Sequence, residues 1–214
     1  MEKENEFVLM KSRSSQACIR EGYQLFTSGF RQIFRKTWPL AVVFAIISGT
    51  ASALPVLVSP TLLLPGMLLG LIAVVLLLIA TSKRLHKLQI MQSTGPIKAK
   101  TWMRYLGMVM LIWIVCLFVV SILVMFTCLP TIIMMAANWE SQIGMLNGDP
   151  SGLPEYVRWM TIIVFLLAGF IQAYVWLTIL GPTYLMRGSI AQRDKEKKEF
   201  NKIKNEEKAI IYRP

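Results

Sequence analysis

Four long apolar runs dominate the chain, covering roughly residues 38–58, 61–82, 105–137 and 156–186. A hydrocarbon core about 30 Å thick takes about 20 helical residues to cross, so each run predicts a transmembrane helix. A proline-rich turn around Pro55, Pro60 and Pro65 joins the first two. Residues 39–82 hold no charge, and their combined length favours two crossings over one re-entrant hairpin. The third and fourth runs are longer than a bilayer needs. About 32 helical residues reach about 48 Å, so these helices are expected to tilt, kink or protrude. Pro130 is the expected kink in the third, because it removes a backbone donor and crowds the preceding turn.

A different periodicity precedes the first run. Ile19, Tyr23, Phe26, Phe30, Ile33 and Phe34 recur at spacings of three and four. At 100° per residue they form one apolar stripe, with Arg13, Arg20, Arg31 and Arg35 along one flank. An aromatic stripe edged by arginine suits a helix lying among lipid headgroups. A helix packed on the base of the bundle would show the same pattern. The fold class expected is all-α: a polytopic membrane protein of four transmembrane helices plus an N-terminal amphipathic interfacial helix. Three regions follow: an N-terminal segment (1–37), a four-span domain (38–187) and a charged tail (188–214).

Composition agrees with the membrane class. Of 214 residues, 55% are hydrophobic and 16% charged, with a mean hydropathy of +0.53; soluble domains are about 25% charged. The start, Met1 to Glu6, is acidic and no apolar run follows until Pro39. It does not read as a cleavable signal, and the first span is expected to remain as an anchor.

The net charge of +11 is placed unevenly. Residues 1–37 hold seven Lys or Arg, residues 83–104 hold six, and the chain from Arg187 holds nine. Residues 138–156 hold none, and Arg158 lies just beyond them. The positive-inside rule makes the basic side cytoplasmic, with both termini there. The basic residues flank apolar runs, so the partner they imply is an anionic membrane surface and no nucleic acid. Candidate membrane-surface residues are Arg13, Arg20, Arg31, Arg35, Lys36, Lys83, Arg84, Lys87, Lys98, Lys100 and Arg104. Lys100-Thr101-Trp102 echoes Lys36-Thr37-Trp38 ahead of a span. Each places a cation and an interfacial tryptophan at a helix start, as belt residues do independently.

Candidate chemistry is sparse. No Asp, Glu, Lys, Arg or His lies in the central part of any run, whereas proton relays, ion-coupled transporters and voltage sensors use such groups at membrane depth. Cys18, Cys116 and Cys128 have no paired spacing. The last two are about 18 Å apart on one predicted helix, so neither a disulfide nor a zinc site follows. His86 is the single histidine. No catalytic, metal or cofactor site is expected. Gln172 is the leading intramembrane polar residue, and helix-to-helix bonding is its ordinary role. Gly66 and Gly70 form a G-x-x-x-G, and Ser48–Ser52 and Gly49–Ala53 are similar small pairs that mark packing faces. Residues 147–154 read as turn chemistry.

The stretch Cys18-Ile19-Arg20-Glu21-Gly22-Tyr23-Gln24-Leu25-Phe26, then Phe30 through Trp38-Pro39 into a span, resembles the multi-pass membrane domain of some bacterial glycerophosphodiester phosphodiesterases and related inner-membrane proteins. The likeness covers about thirty residues and includes no catalytic motif, so it implies a bacterial inner membrane and no activity. Three functions remain open. The first is a non-enzymatic accessory or scaffold binding another membrane protein or lipid, or forming a homo-oligomer. The second is a subunit of an oligomeric transporter or channel, with Gln172, Thr178, Ser121 and Thr127 converging on an axis. The third is an interfacial lipid-handling enzyme.

Overall fold

A computed structural model describes residues 10–57, 60–87, 97–147 and 155–211. Every element among them is helical: α1 (Ser15–Ser28), α2 (Phe30–Leu57), a 3-10 turn (Pro60–Leu62), α3 (Leu63–Lys87), α4 (Ala99–Arg104), α5 (Leu106–Leu146), α6 (Glu155–Leu177) and α7 (Leu180–Ile211). Four stretches are long and apolar enough to cross a membrane: Phe30–Leu57, Leu63–His86, Leu106–Trp139 and Glu155–Lys204. The chain is a multi-pass membrane protein, all-helical over the described residues. Of the turn expected over 147–154, residues 148–154 lie outside the described residues.

The spans form a row. α2 and α6 pack against each other at the centre, α3 lies on α2, and α5 lies on α6. Small residues allow the central contact. A methyl added at Gly169 would come within 2.8 Å of Ser48 Oγ and 3.2 Å of the Ala45 backbone. One added at Gly49 would come within 3.2 Å of the Phe165 carbonyl. Close approach of this kind holds membrane helices together, since lipid offers no hydrophobic drive between them. The flanking spans bury only narrow stripes. In α3 the buried positions are Ala73, Leu77, Thr81 and Leu85; in the body of α5 they are Ile112, Cys116 and Val120. A spacing of four keeps each stripe on one face of its helix, and the α5 stripe packs with Cys18 of α1 and with Met186 and Ile190 of α7.

Helix boundaries differ from the sequence expectation in three places. The first span starts at Phe30 rather than Trp38 and runs through Pro39. The stripe that includes Ile33 continues into the buried face of Thr37, Ala41 and Phe44, so the helix has a reason to persist. The amphipathic stretch is divided instead at Gly29, which ends α1. The third span's helix continues past Pro130 to Leu146 rather than ending at about Ala137. The fourth breaks between Leu177 and Leu180, where Thr178 and Ile179 bond three residues back, to Val175 and Trp176. Pro182 explains the break: it offers no N–H and its ring crowds the carbonyl of Thr178, four residues earlier.

α1 does not lie apart from the bundle. It packs along α7 and touches α5, burying Cys18, Gly22 and Phe26. Ser14 caps it, accepting from the Ala17 N–H at 3.2 Å. α1 and α7 meet backbone to backbone where Gly22 faces Gly181 and Pro182, with no room for a side chain.

Candidate functional site

The end of the bundle that carries α1 also carries the N-terminus of α2, the C-terminus of α3, α4 and most of α7, and most of the predicted surface cations sit there. Their surroundings differ. Arg13 is 5% exposed. Its backbone N–H donates to Ser189 Oγ at 2.9 Å, and Ser189 Oγ donates back to its carbonyl at 3.1 Å. Arg193 Nη2 donates to the same carbonyl at 2.5 Å. Its own Nε donates to Glu21 Oε2 at 2.6 Å. Arg13 therefore ties the segment ahead of α1 to α7 and does not present its charge to a headgroup. Cys18 lies in the same cluster, and burial pushes its thiol above the usual cysteine range. It is a packed thiol, not an activated one.

Arg20, Arg31, Arg35 and Lys36 are exposed, as are Lys83, Arg84, Lys98 and Lys100. The side chain of Lys87 lies outside the described residues. Arg104 is exposed and lies 3.7 Å from Asp194, whose other oxygen meets Lys198 at 2.7 Å. Thr37 and Thr101, the middle residues of the two Lys-Thr-Trp triplets, are both buried, while each lysine faces out. Trp38 is exposed and Trp102 is half-buried. A ladder of rings fills the junction of α1, α2 and α6: Phe26, Phe30, Phe34, Phe170 and Tyr174 form a chain of centroid separations from 5.2 to 6.4 Å, a range in which aromatic pairs attract. The predicted stripe is thus divided. Phe26 and Ile33 are buried, Ile19 and Tyr23 half-buried, and Phe30 and Phe34 are about 40% exposed beside Tyr174.

Within the spans, polar groups join α5 to α6. Gln172 Nε2 donates to Cys128 Sγ at 3.2 Å. Asn138 Nδ2 donates to Thr161 Oγ1 at 3.1 Å and to the Met134 carbonyl at 2.6 Å. Asn138 is fully buried, and it was not singled out from the sequence. An asparagine eight residues beyond Pro130, near the end of an apolar run, was the available signal. Thr127 and Thr178 bond their own helices, to the Val124 and Val175 carbonyls, and Ser121 is exposed. Ser48, Gly49 and Ala53 are buried and Ser52 is exposed. Gly66 packs on α2, where an added methyl would stand 2.5 Å from the Ala51 carbonyl, whereas Gly70 has nothing within 4 Å of that position.

Gly70 faces a groove of about 270 Å³ between α3 and α5, floored by Ala51, Pro55 and Phe165. The lining is mainly apolar, with Thr131 and Ser52 at its polar edge. Among the described residues no three His, Cys, Asp or Glu side chains gather as metal ligands would. No protein-family model matches the chain, and no curated protein or solved structure matches it either.

Proposed function

We propose that the chain is a non-enzymatic scaffold or accessory protein of a bacterial inner membrane, binding another membrane protein or lipid, with both termini in the cytoplasm. The observation that carries this reading is the union of a four-span bundle with a braced platform at its basic end. α7 is a continuous helix from Leu180 to Ile211 that leaves the apolar region and carries a mixed charged surface outward. Its root is held to α1 by the Gly22–Gly181 crossing and by the Arg13–Ser189–Arg193 bonds. A rigid outward helix and an exposed cationic rim suit recruitment and lipid contact.

The orientation rests on the charge asymmetry, and the bacterial inner membrane on the resemblance of the lead-in. The transporter alternative draws less support, because the Gln172 amide is engaged with Cys128 inside the protomer. Extraction of the tagged native protein into nanodiscs, followed by mass spectrometry of co-purifying proteins and lipids, tests the proposal. A stoichiometric membrane-protein partner or a retained lipid class supports it. A protein that is monomeric, bare of both, and able to move a solute across reconstituted vesicles would refute it.

A further inference from the structure

The basic end divides into two halves that handle charge differently. On the α1–α7 half, carboxylates are interspersed with the cations: Arg13 meets Glu21, Asp194 lies between Arg104 and Lys198, and Glu196 and Glu199 follow on α7. On the α2–α3 half neither helix carries a carboxylate. The start of α2 carries Arg31, Arg35 and Lys36, and the end of α3 carries Lys83 and Arg84, all exposed. The antiparallel pairing sets these two helix ends side by side, since Ile33 and Leu85 are buried in one cluster. Residues 22–139 contain no Asp or Glu, so neither helix can neutralise the other. In the neighbouring helix α1, Glu21 is taken by Arg13.

Below the cations on α3 runs an apolar stripe. Ile72, Leu76 and Ile79 are 56%, 58% and 48% exposed, and Lys83 continues the same face at helical spacing. From Ile72 to Lys83 is about 16 Å along the axis, close to the depth of one leaflet, half of a core about 30 Å thick. Exposed Val42 and Ile46 stand below Arg35 in the same way on α2. A phospholipid lying on either face would set its acyl chains on the aliphatic residues and its phosphate among the cations. Trp38, 51% exposed, marks the level of the interface.

Resting on the lipid-contact part of the proposed function, we infer that the α2–α3 end is a docking surface for the phosphate headgroups of anionic phospholipids, and that the α1–α7 half is not. Five cations at the end of a hairpin whose two helices carry no carboxylate concentrate a field that attracts anionic headgroups, and lipid phosphate is the anion held at that depth.

The test uses the full chain in vesicles and measures the association of spin-labelled phosphatidylglycerol relative to spin-labelled phosphatidylcholine. One variant replaces Arg31, Arg35, Lys36, Lys83 and Arg84 by Gln. A second removes the same number of exposed cations from α7: Arg187, Lys195, Lys197, Lys202 and Lys204. The expected result is a preference for the anionic lipid that drops by about tenfold in the first variant and changes less than about twofold in the second. The native preference should also vanish at 1 M salt, where the screening length falls to about 3 Å; this readout needs no variant to fold. Equal losses in the two variants, no loss in the first, or a preference that survives 1 M salt would each overturn the inference. Co-purification of a protein partner is read separately, so the scaffold reading stands or falls on its own.

Discussion

The central and flanking spans look interchangeable as apolar runs, yet they do opposite work. In α3 and α5, which are the more apolar, only 11% and 17% of the most apolar window is buried. In α2 and α6 the shares are 44% and 33%. In a soluble protein the greasiest helix sits innermost. In a bilayer the solvent is itself hydrocarbon, so burial follows close packing and polar bonding instead. The central pair accordingly collects Ala41, Ala45, Ser48, Gly49, Ala168, Gly169 and Ala173 at buried positions, while α3 and α5 offer Leu, Ile, Met and Phe to lipid.

The largest test of this contrast falls on the seam between a flanking and a central helix. Gly66→Ala would place a methyl 2.5 Å from the Ala51 carbonyl. That neighbour is backbone and cannot swing away, so α3 must move off α2. A loss of about 2 to 3 kcal/mol is expected, read as an earlier unfolding midpoint when the reconstituted protein is titrated with dodecyl sulfate. Gly169→Ala comes next, at about 1 to 2 kcal/mol. Its nearest neighbour is Ser48 Oγ, which can rotate, but the Ala45 backbone at 3.2 Å limits the relief. A Gly169 variant as stable as the parent would mean that the central pair is not held by close approach.

Polar contact within the apolar region should count for less than backbone contact. Gln172→Leu removes the bond to Cys128 and leaves a side chain of similar bulk. Interhelical bonds of this kind average about 0.6 kcal/mol in membranes, and a loss of that order is expected in the same titration. A loss above about 2 kcal/mol would exceed what one such bond supplies and would point to a wider role for the amide.

These contrasts also show what could be read from the chain. The number of spans and their rough positions were legible, because about 20 consecutive apolar residues have few other uses. The packing role of Gly49 and Ser48 was legible in kind, as was Gln172 as a cross-helix donor. Helical phase misplaces Arg13. α1 begins only at Ser15, so the 100° rule does not govern Arg13, and a carboxylate two turns into α1 and a serine 176 residues away claim it. The break at Thr178 and Ile179 was hidden by an apolar run that continues across it. Pro182 was its local signal, and the Gly22–Gly181 crossing that the break positions is a long-range contact no single stretch announces.

Gly70 supplies the smallest effect and the most discriminating one. It belongs to the same G-x-x-x-G as Gly66 and lies one turn along the same face of α3. By motif alone the two should respond alike. The geometry separates them: an alanine methyl at Gly70 meets nothing within 4 Å, because the position opens on the groove between α3 and α5. Replacing glycine by alanine in a helix otherwise gains up to about 1 kcal/mol of backbone entropy. Gly70→Ala is therefore expected to be neutral or slightly stabilising in the titration that penalises Gly66→Ala. If both variants lose stability equally, α3 packs on its neighbour along the full motif and the groove is closed in the membrane. If only Gly66→Ala does, the close contact of the hairpin is confined to one turn, and the next turn faces the groove.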